Sequence, residues 1–171
     1  PNGTYTELAR FHSGKALFLD TPEPRLDQSS TFSAISELQM FMEYFPASKR
    51  KTEAQLMILG LQDKLVMKDY LTAKLYYDLG TYTGNASYTA DMRINGNNFL
   101  ACITTAQNAL KDYPYTSMRE DISILLLRAK HKLGSESVLE KKEERMRETI
   151  DEYYAFKNEF PESKYMKEVE A

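Results

Sequence analysis

The chain has 171 residues, 42% hydrophobic and 27% charged, which is ordinary globular composition and enough length for an ample core without disulfides. A net charge of −3, a pI near 5.5 and only one short basic cluster, Lys49-Arg50-Lys51, argue against nucleic acid as a partner. The single cysteine, Cys102, excludes an internal disulfide or a multi-cysteine metal site; between Ala101 and Ile103 it is expected to be a small buried hydrophobe.

Helical periodicity runs through the chain, and seven helices are predicted near 5–19, 30–45, 49–67, 69–83, 97–112, 117–133 and 140–159. The N-terminus, Pro1-Asn2-Gly3-Thr4, has neither the charged nor the apolar region of a secretion signal, and a start without Met suits a processed or partial chain. No stretch approaches the ~20 apolar residues of a membrane span. Thr21-Pro22-Glu23-Pro24 breaks the chain after the first helix, because each proline blocks helix continuation. Thr83 to Asn98 is rich in turn formers and reads as a loop, with a long insertion over 84–97. Within it, Asn85-Ala86-Ser87 matches a glycosylation acceptor, a pattern short enough to occur by chance. In Ser117 to Gly134 the positions Ile122, Leu125, Leu126, Ala129 and Leu133 form a core-facing stripe. Ser117 with Glu120 is expected to form a capping box, and Gly134 a C-terminal stop.

One phrase occurs three times without a gap: Ile35 to Pro46, Ile103 to Pro114 and Ile150 to Pro161, each a helix-like run ending in an aromatic residue and proline. This matches the second helix of a tetratricopeptide unit, with a small residue twelve places before proline and larger ones eight and five before. The small place holds Ala34, Cys102 and Thr149; the next holds Leu38, Ala106 and Tyr153; the third holds Phe41, Ala109 and Phe156. Small residues permit close helix approach, larger ones fill the groove, and Pro46, Pro114 and Pro161 act as stops. Leu79-Gly80-Thr81-Tyr82 is similar to the Leu-Gly…Tyr of a first helix. A generic bundle with three unrelated stops is the plainer alternative, which the gap-free alignment disfavours. The expected fold is therefore an all-α tetratricopeptide-like solenoid, one repeat domain over 1–171, irregular because the prolines are separated by 68 (46 to 114) and then 47 (114 to 161) residues.

The run Leu61-Gln62-Asp63-Lys64-Leu65 through Lys68-Asp69-Tyr70 to Tyr76-Tyr77-Asp78-Leu79-Gly80 resembles the signature of the BamD (YfiO) family of outer membrane assembly lipoproteins. Ala106-Gln107-Asn108-Ala109-Leu110-Lys111-Asp112-Tyr113-Pro114 resembles that family's next repeat, and Asp151 to Phe156 with Phe160-Pro161-Glu162-Ser163 is similar to its Bacteroidetes branch. The resemblance covers most of 30–133. It departs from the family in lacking a lipid-bearing cysteine at the N-terminus, in shortened leading repeats before Thr31, and in the long 84–97 loop. What it implies is the C-terminal part of a scaffold subunit of the β-barrel assembly complex, on the periplasmic face of a Gram-negative outer membrane. Its implied partner is a POTRA domain of the barrel-forming subunit, with unfolded outer membrane proteins as further clients and membrane attachment only through a lipid anchor absent from this chain. Lys64, Lys68, Lys74, Tyr77, Gln107, Lys111 and Arg119, polar or amphipathic members of the matched segments, are the expected contacts.

No phosphate loop, His-Glu-x-x-His, Cys-x-x-Cys or Ser-x-x-Lys is present, so neither enzyme activity nor a metal or cofactor is expected. His12 and His131 each stand alone, the latter suited to a helix C-terminus between lysines. Glu143-Glu144 and Asp151-Glu152 lie among Lys141, Lys142, Arg145 and Arg147 at helical spacing, a solvated ion-paired face rather than a carboxylate dyad. Three rivals stand beside the scaffold reading: a fragment of a SusD-like glycan-binding lipoprotein, a general tetratricopeptide adaptor, and a helical enzyme such as a peptidoglycan-cleaving domain. The absence of Trp counts against the first, and the last lacks an isolated candidate Glu.

Overall fold

A computed structural model describes residues 3, 5–82 and 97–170. It is all-helical, with seven helices and no strand among the described residues. These are α1 (Thr6–Leu19), α2 (Ser29–Tyr44), α3 (Lys51–Leu79), α4 (Asn98–Asp112), α5 (Arg119–Ser135), α6 (Leu139–Glu159) and α7 (Met166–Val169). None of the described helices is long and apolar enough to cross a membrane. The expected 84–97 loop and the Asn85-Ala86-Ser87 acceptor lie outside the described residues, apart from Asn97, whose side chain caps α4 by accepting from the Phe99 N–H at 2.9 Å.

Three local expectations need correction. The helices predicted over 49–67 and 69–83 are one continuous α3, because Lys68-Asp69 contains no residue that opposes helix; it ends where Gly80 takes φ +54°, a left-handed conformation that glycine adopts without steric cost. The N-cap of α5 is Met118 and not Ser117, so the expected capping box of Ser117 with Glu120 is out of register. The α5 helix starts at Arg119, the Thr116 hydroxyl accepts from the Met118 N–H, and Glu120 instead accepts from the Ser163 hydroxyl at 2.6 Å. Gly134 does not stop α5, which continues to Ser135; it lies buried where a Cβ would come within 2.8 Å of Met146 Sδ, so its role is close helix approach.

The chain divides into two compact units, Pro1–Lys68 and Asp69–Ala171. In the first, α1 packs on α2, and the start of α3 closes a core of Phe11, Ala34, Leu38, Phe41, Ala54, Met57, Ile58 and Leu61. Phe11 and Phe41 meet with ring centroids 5.4 Å apart. Gly14 lets α1 approach α2, since a Cβ there would lie 2.7 Å from Leu38 Cδ2. The loop containing Pro22 and Pro24 is held by buried Gln28, which donates to the Glu23 and Leu26 carbonyls and accepts from Thr31.

In the second unit α5 is the central helix, packed on α4 and α6. Its predicted stripe of Ile122, Leu125, Leu126, Ala129 and Leu133 is buried, and so are Ile124 and Leu127. Those last two form a smaller core with Phe156 of α6, onto which Tyr153, Phe160, Tyr165, Met166 and Val169 pack. Lys130 and Glu152 join α5 to α6 at 2.7 Å.

Candidate functional site

The thrice-repeated phrase ends in one and the same corner. Proline cannot continue a helix and pushes the residue before it out of helical geometry, so Phe45, Tyr113 and Phe160 cap α2, α4 and α6 at φ/ψ of −128/63°, −128/67° and −127/62°. Each aromatic donates its N–H to the carbonyl four residues back, on Phe41, Ala109 or Phe156. Three residues after the aromatic stands a hydroxyl residue, Ser48, Thr116 or Ser163; its N–H returns to the aromatic carbonyl at 3.0, 3.2 and 3.1 Å. The hydroxyl oxygen then accepts from the N–H two residues on, at 3.1, 3.2 and 3.0 Å, and the next helix begins. The small places of the phrase, Ala34, Cys102 and Thr149, are all buried, as are Phe41, Ala109 and Phe156.

In the first and third corners the hydroxyl also reaches back to the helix before the pair. Ser48 donates to Glu7 at 2.5 Å and Ser163 to Glu120 at 2.6 Å. An ion pair follows in the same place each time: Lys15 with Glu53 at 2.8 Å, and Arg128 with Glu168 through two bonds of 2.7 and 2.6 Å. Arg128, whose carbon Cζ also lies 5.3 Å from the Tyr165 ring centre, has its pKa raised by donation to Glu168, whose carboxyl is in turn held below its ordinary value.

Of the seven residues expected to contact a partner, Lys64 and Lys68 belong to the first unit and the other five to the second, and five of the seven are engaged within the protein. Lys64 donates to the Thr21 carbonyl at 3.3 Å and its hydroxyl at 2.5 Å, and Lys68 to the Leu26 carbonyl at 3.1 Å; both pin the α1–α2 loop. Lys74 pairs with Asp78 at 3.0 Å, which raises its pKa. Tyr77 sits edge-on to Phe99 at 5.7 Å, and burial pushes its phenol pKa up. Arg119 bonds Glu159 and the Pro114 carbonyl, tying the start of α5 to the end of α6. Gln107 and Lys111 are exposed on α4.

Sequence reasoning missed a pocket of about 220 Å³ in the second unit, walled by Ile124, Leu127, Thr149, Ile150, Tyr153 and Val169 with Arg128, His131 and Glu168 on its lining. The signal for it lay in Phe160-Pro161-Glu162-Ser163, which announces another helix in the manner of Phe45-Pro46-Ala47-Ser48. That helix is α7. Chemically the pocket offers apolar walls, an arginine paired with Glu168 and a histidine 3.4 Å from the Ser135 hydroxyl. Cys102 offers no nucleophile, because burial pushes its thiol up to about 12. Among the described residues no group of three or more His, Cys, Asp or Glu could hold a metal ion. Searches against protein families and curated proteins return no match to this chain.

Proposed function

We propose that the chain is a non-enzymatic scaffold of tetratricopeptide-like helical pairs that binds other proteins, and, on the sequence resemblance given above, a BamD-like subunit serving β-barrel assembly at the periplasmic face of an outer membrane. The observation that carries the scaffold reading is the corner repeated three times with cap angles equal to within a few degrees. Equal corners return the chain in the same way after each second helix, so one joint is reused, as in stacked repeats. Binding by such a surface needs no titratable dyad. Paired helices hold it rigid before the partner arrives, so little ordering entropy is lost on docking.

The partner class on this reading is a POTRA domain. Lys111 and Gln107 are exposed candidate contacts on α4, whereas charge reversal at Arg119 would also break the bond to Glu159. The test is calorimetric titration of the full chain with isolated POTRA domains. Saturable binding weakened at least tenfold by Lys111→Glu is expected; no binding, or binding indifferent to that substitution, would remove the outer membrane assignment and leave a general adaptor.

A further inference from the structure

Three glycines lie inside the described helices, and two of them mark a close approach within the chain. A Cβ on Gly14 of α1 would come within 2.7 Å of Leu38 Cδ2, and one on Gly134 of α5 within 2.8 Å of Met146 Sδ. The third, Gly60 of α3, is exposed, with nothing within 4 Å of where a Cβ would stand. A glycine there weakens the helix relative to alanine, and no contact inside the chain compensates. Its surroundings are apolar. Leu56, one turn before it, and its neighbour Leu59 are 64% and 45% exposed. From Thr52 to Gln62 the one charged residue is Glu53, which Lys15 holds at 2.8 Å, and Asp63, one turn beyond Leu59, also has a partner. The first unit therefore shows an outward helix face that is apolar, notched and without unpaired charge, in a chain with 27% charged residues.

We propose that this face docks a second copy of the chain, α3 antiparallel to α3 across a two-fold axis beside Gly60. The face carries both halves of a helix packing, a ridge of Leu56 and Leu59 and a notch at Gly60. A two-fold axis lays each ridge beside the other copy's notch, so the surface is its own complement. The missing Cβ at the crossing lets the two backbones approach, and the leucines of both copies leave water together. Charge points the same way. A partner that brings charge would bury it unpaired against leucine, whereas a copy brings none. The convex face of a helix encloses nothing, which disfavours a small molecule.

The test is sedimentation velocity of the full chain over a series from micromolar to submillimolar concentration. A reversible monomer–dimer equilibrium is expected, with its dissociation constant raised about tenfold or more by Leu59→Lys and by Gly60→Leu. Both positions are exposed, so both variants should keep the circular dichroism of the native chain. In dilute solution, where copies are apart, Gly60→Leu should melt at or above the native chain, because leucine is the better helix former. A fold that holds or gains while the dimer weakens separates lost docking from lost folding. A chain that stays monomeric throughout leaves the face to a different occupant and overturns the proposal. A dimer indifferent to both substitutions overturns it by placing the contact elsewhere. A lowered melting temperature of dilute Gly60→Leu protein would show that the chain itself fills the notch, and overturns it too.

Discussion

The groove between α1 and α2 and the groove between α5 and α6 begin alike and end differently. Each follows a Phe-Pro-x-Ser corner, a serine-to-glutamate bond, and an ion pair from the first helix to the residue eight places beyond the aromatic. Yet α3 seals the first with four apolar side chains, whereas the four-residue α7 leaves the second partly open. The contrast separates two jobs that a repeat usually performs together. Short-range bonds within the corner aim the chain, and the stripe on the following helix then removes apolar surface from water.

The largest test compares the aromatic at the heart of each groove. Phe41→Ala empties a site enclosed by Phe11, Leu38 and α3, and should cost about 4 kcal/mol in urea denaturation; Phe156→Ala, beside an open pocket into which neighbours can relax, should cost about 3. Equal costs, or the reverse order, would break the comparison. A second measurement asks whether the unit with the open groove is nevertheless tight elsewhere. With its thiol pushed up to about 12, Cys102 should react with a disulfide reagent at pH 8 on the order of a hundredfold more slowly than in the unfolded chain.

Glycines sharpen the contrast at smaller scale. Gly14→Ala drives a methyl into buried Leu38, and should lose about 1 kcal/mol after the gain in helix propensity is set against the clash. Gly134→Ala meets the flexible thioether of half-buried Met146 and should be near neutral, while Gly60→Ala, with open space around it, should gain roughly 0.5–1 kcal/mol. Thermal melts of the three variants decide the order. If Gly134→Ala costs as much as Gly14→Ala, the α5–α6 approach is as rigid as the α1–α2 one.

The smallest effect is electrostatic. Donation from Arg128 holds the Glu168 carboxyl below its ordinary value, so its stabilisation is present above the ordinary carboxylate range and is lost as pH falls through the lowered value. Solvent screening keeps it below about 0.5 kcal/mol. Acid titration followed through the Tyr165 and Val169 NMR signals should show α7 loosening over that window, and Glu168→Gln should remove the pH dependence.

Helical class and the aromatic-proline corners were readable in the sequence because proline acts on its immediate neighbours, and the buried places Ala34, Cys102 and Thr149 followed from their fixed distance to it. Features set by contacts far along the chain were not readable. The engagement of Lys64 with Thr21, 43 residues away, depends on how α3 passes the α1–α2 loop. Gly134 looked like a stop because glycine often is one; only the approach of Met146 shows its other use. The missed pocket is a third kind of case. Its walls, Ile124, Leu127 and Ile150, were visible as apolar residues, but their exposure depends on the helix laid over them, and α7 is too short to have announced itself by periodicity.

The backbone N–H bonds that turn the chain at a corner span only two to four residues, from the Phe45 N–H to Phe41 through the Arg50 N–H to the Ser48 hydroxyl. Closing loops so short takes well under a microsecond, whereas bringing helices forty residues apart into contact is a far slower search. During folding, therefore, the reversals of direction are written first. The helices that later dock inherit an orientation already chosen, so a mutation at Ser48 or Ser163 should slow folding, while one at Leu61 should chiefly speed unfolding.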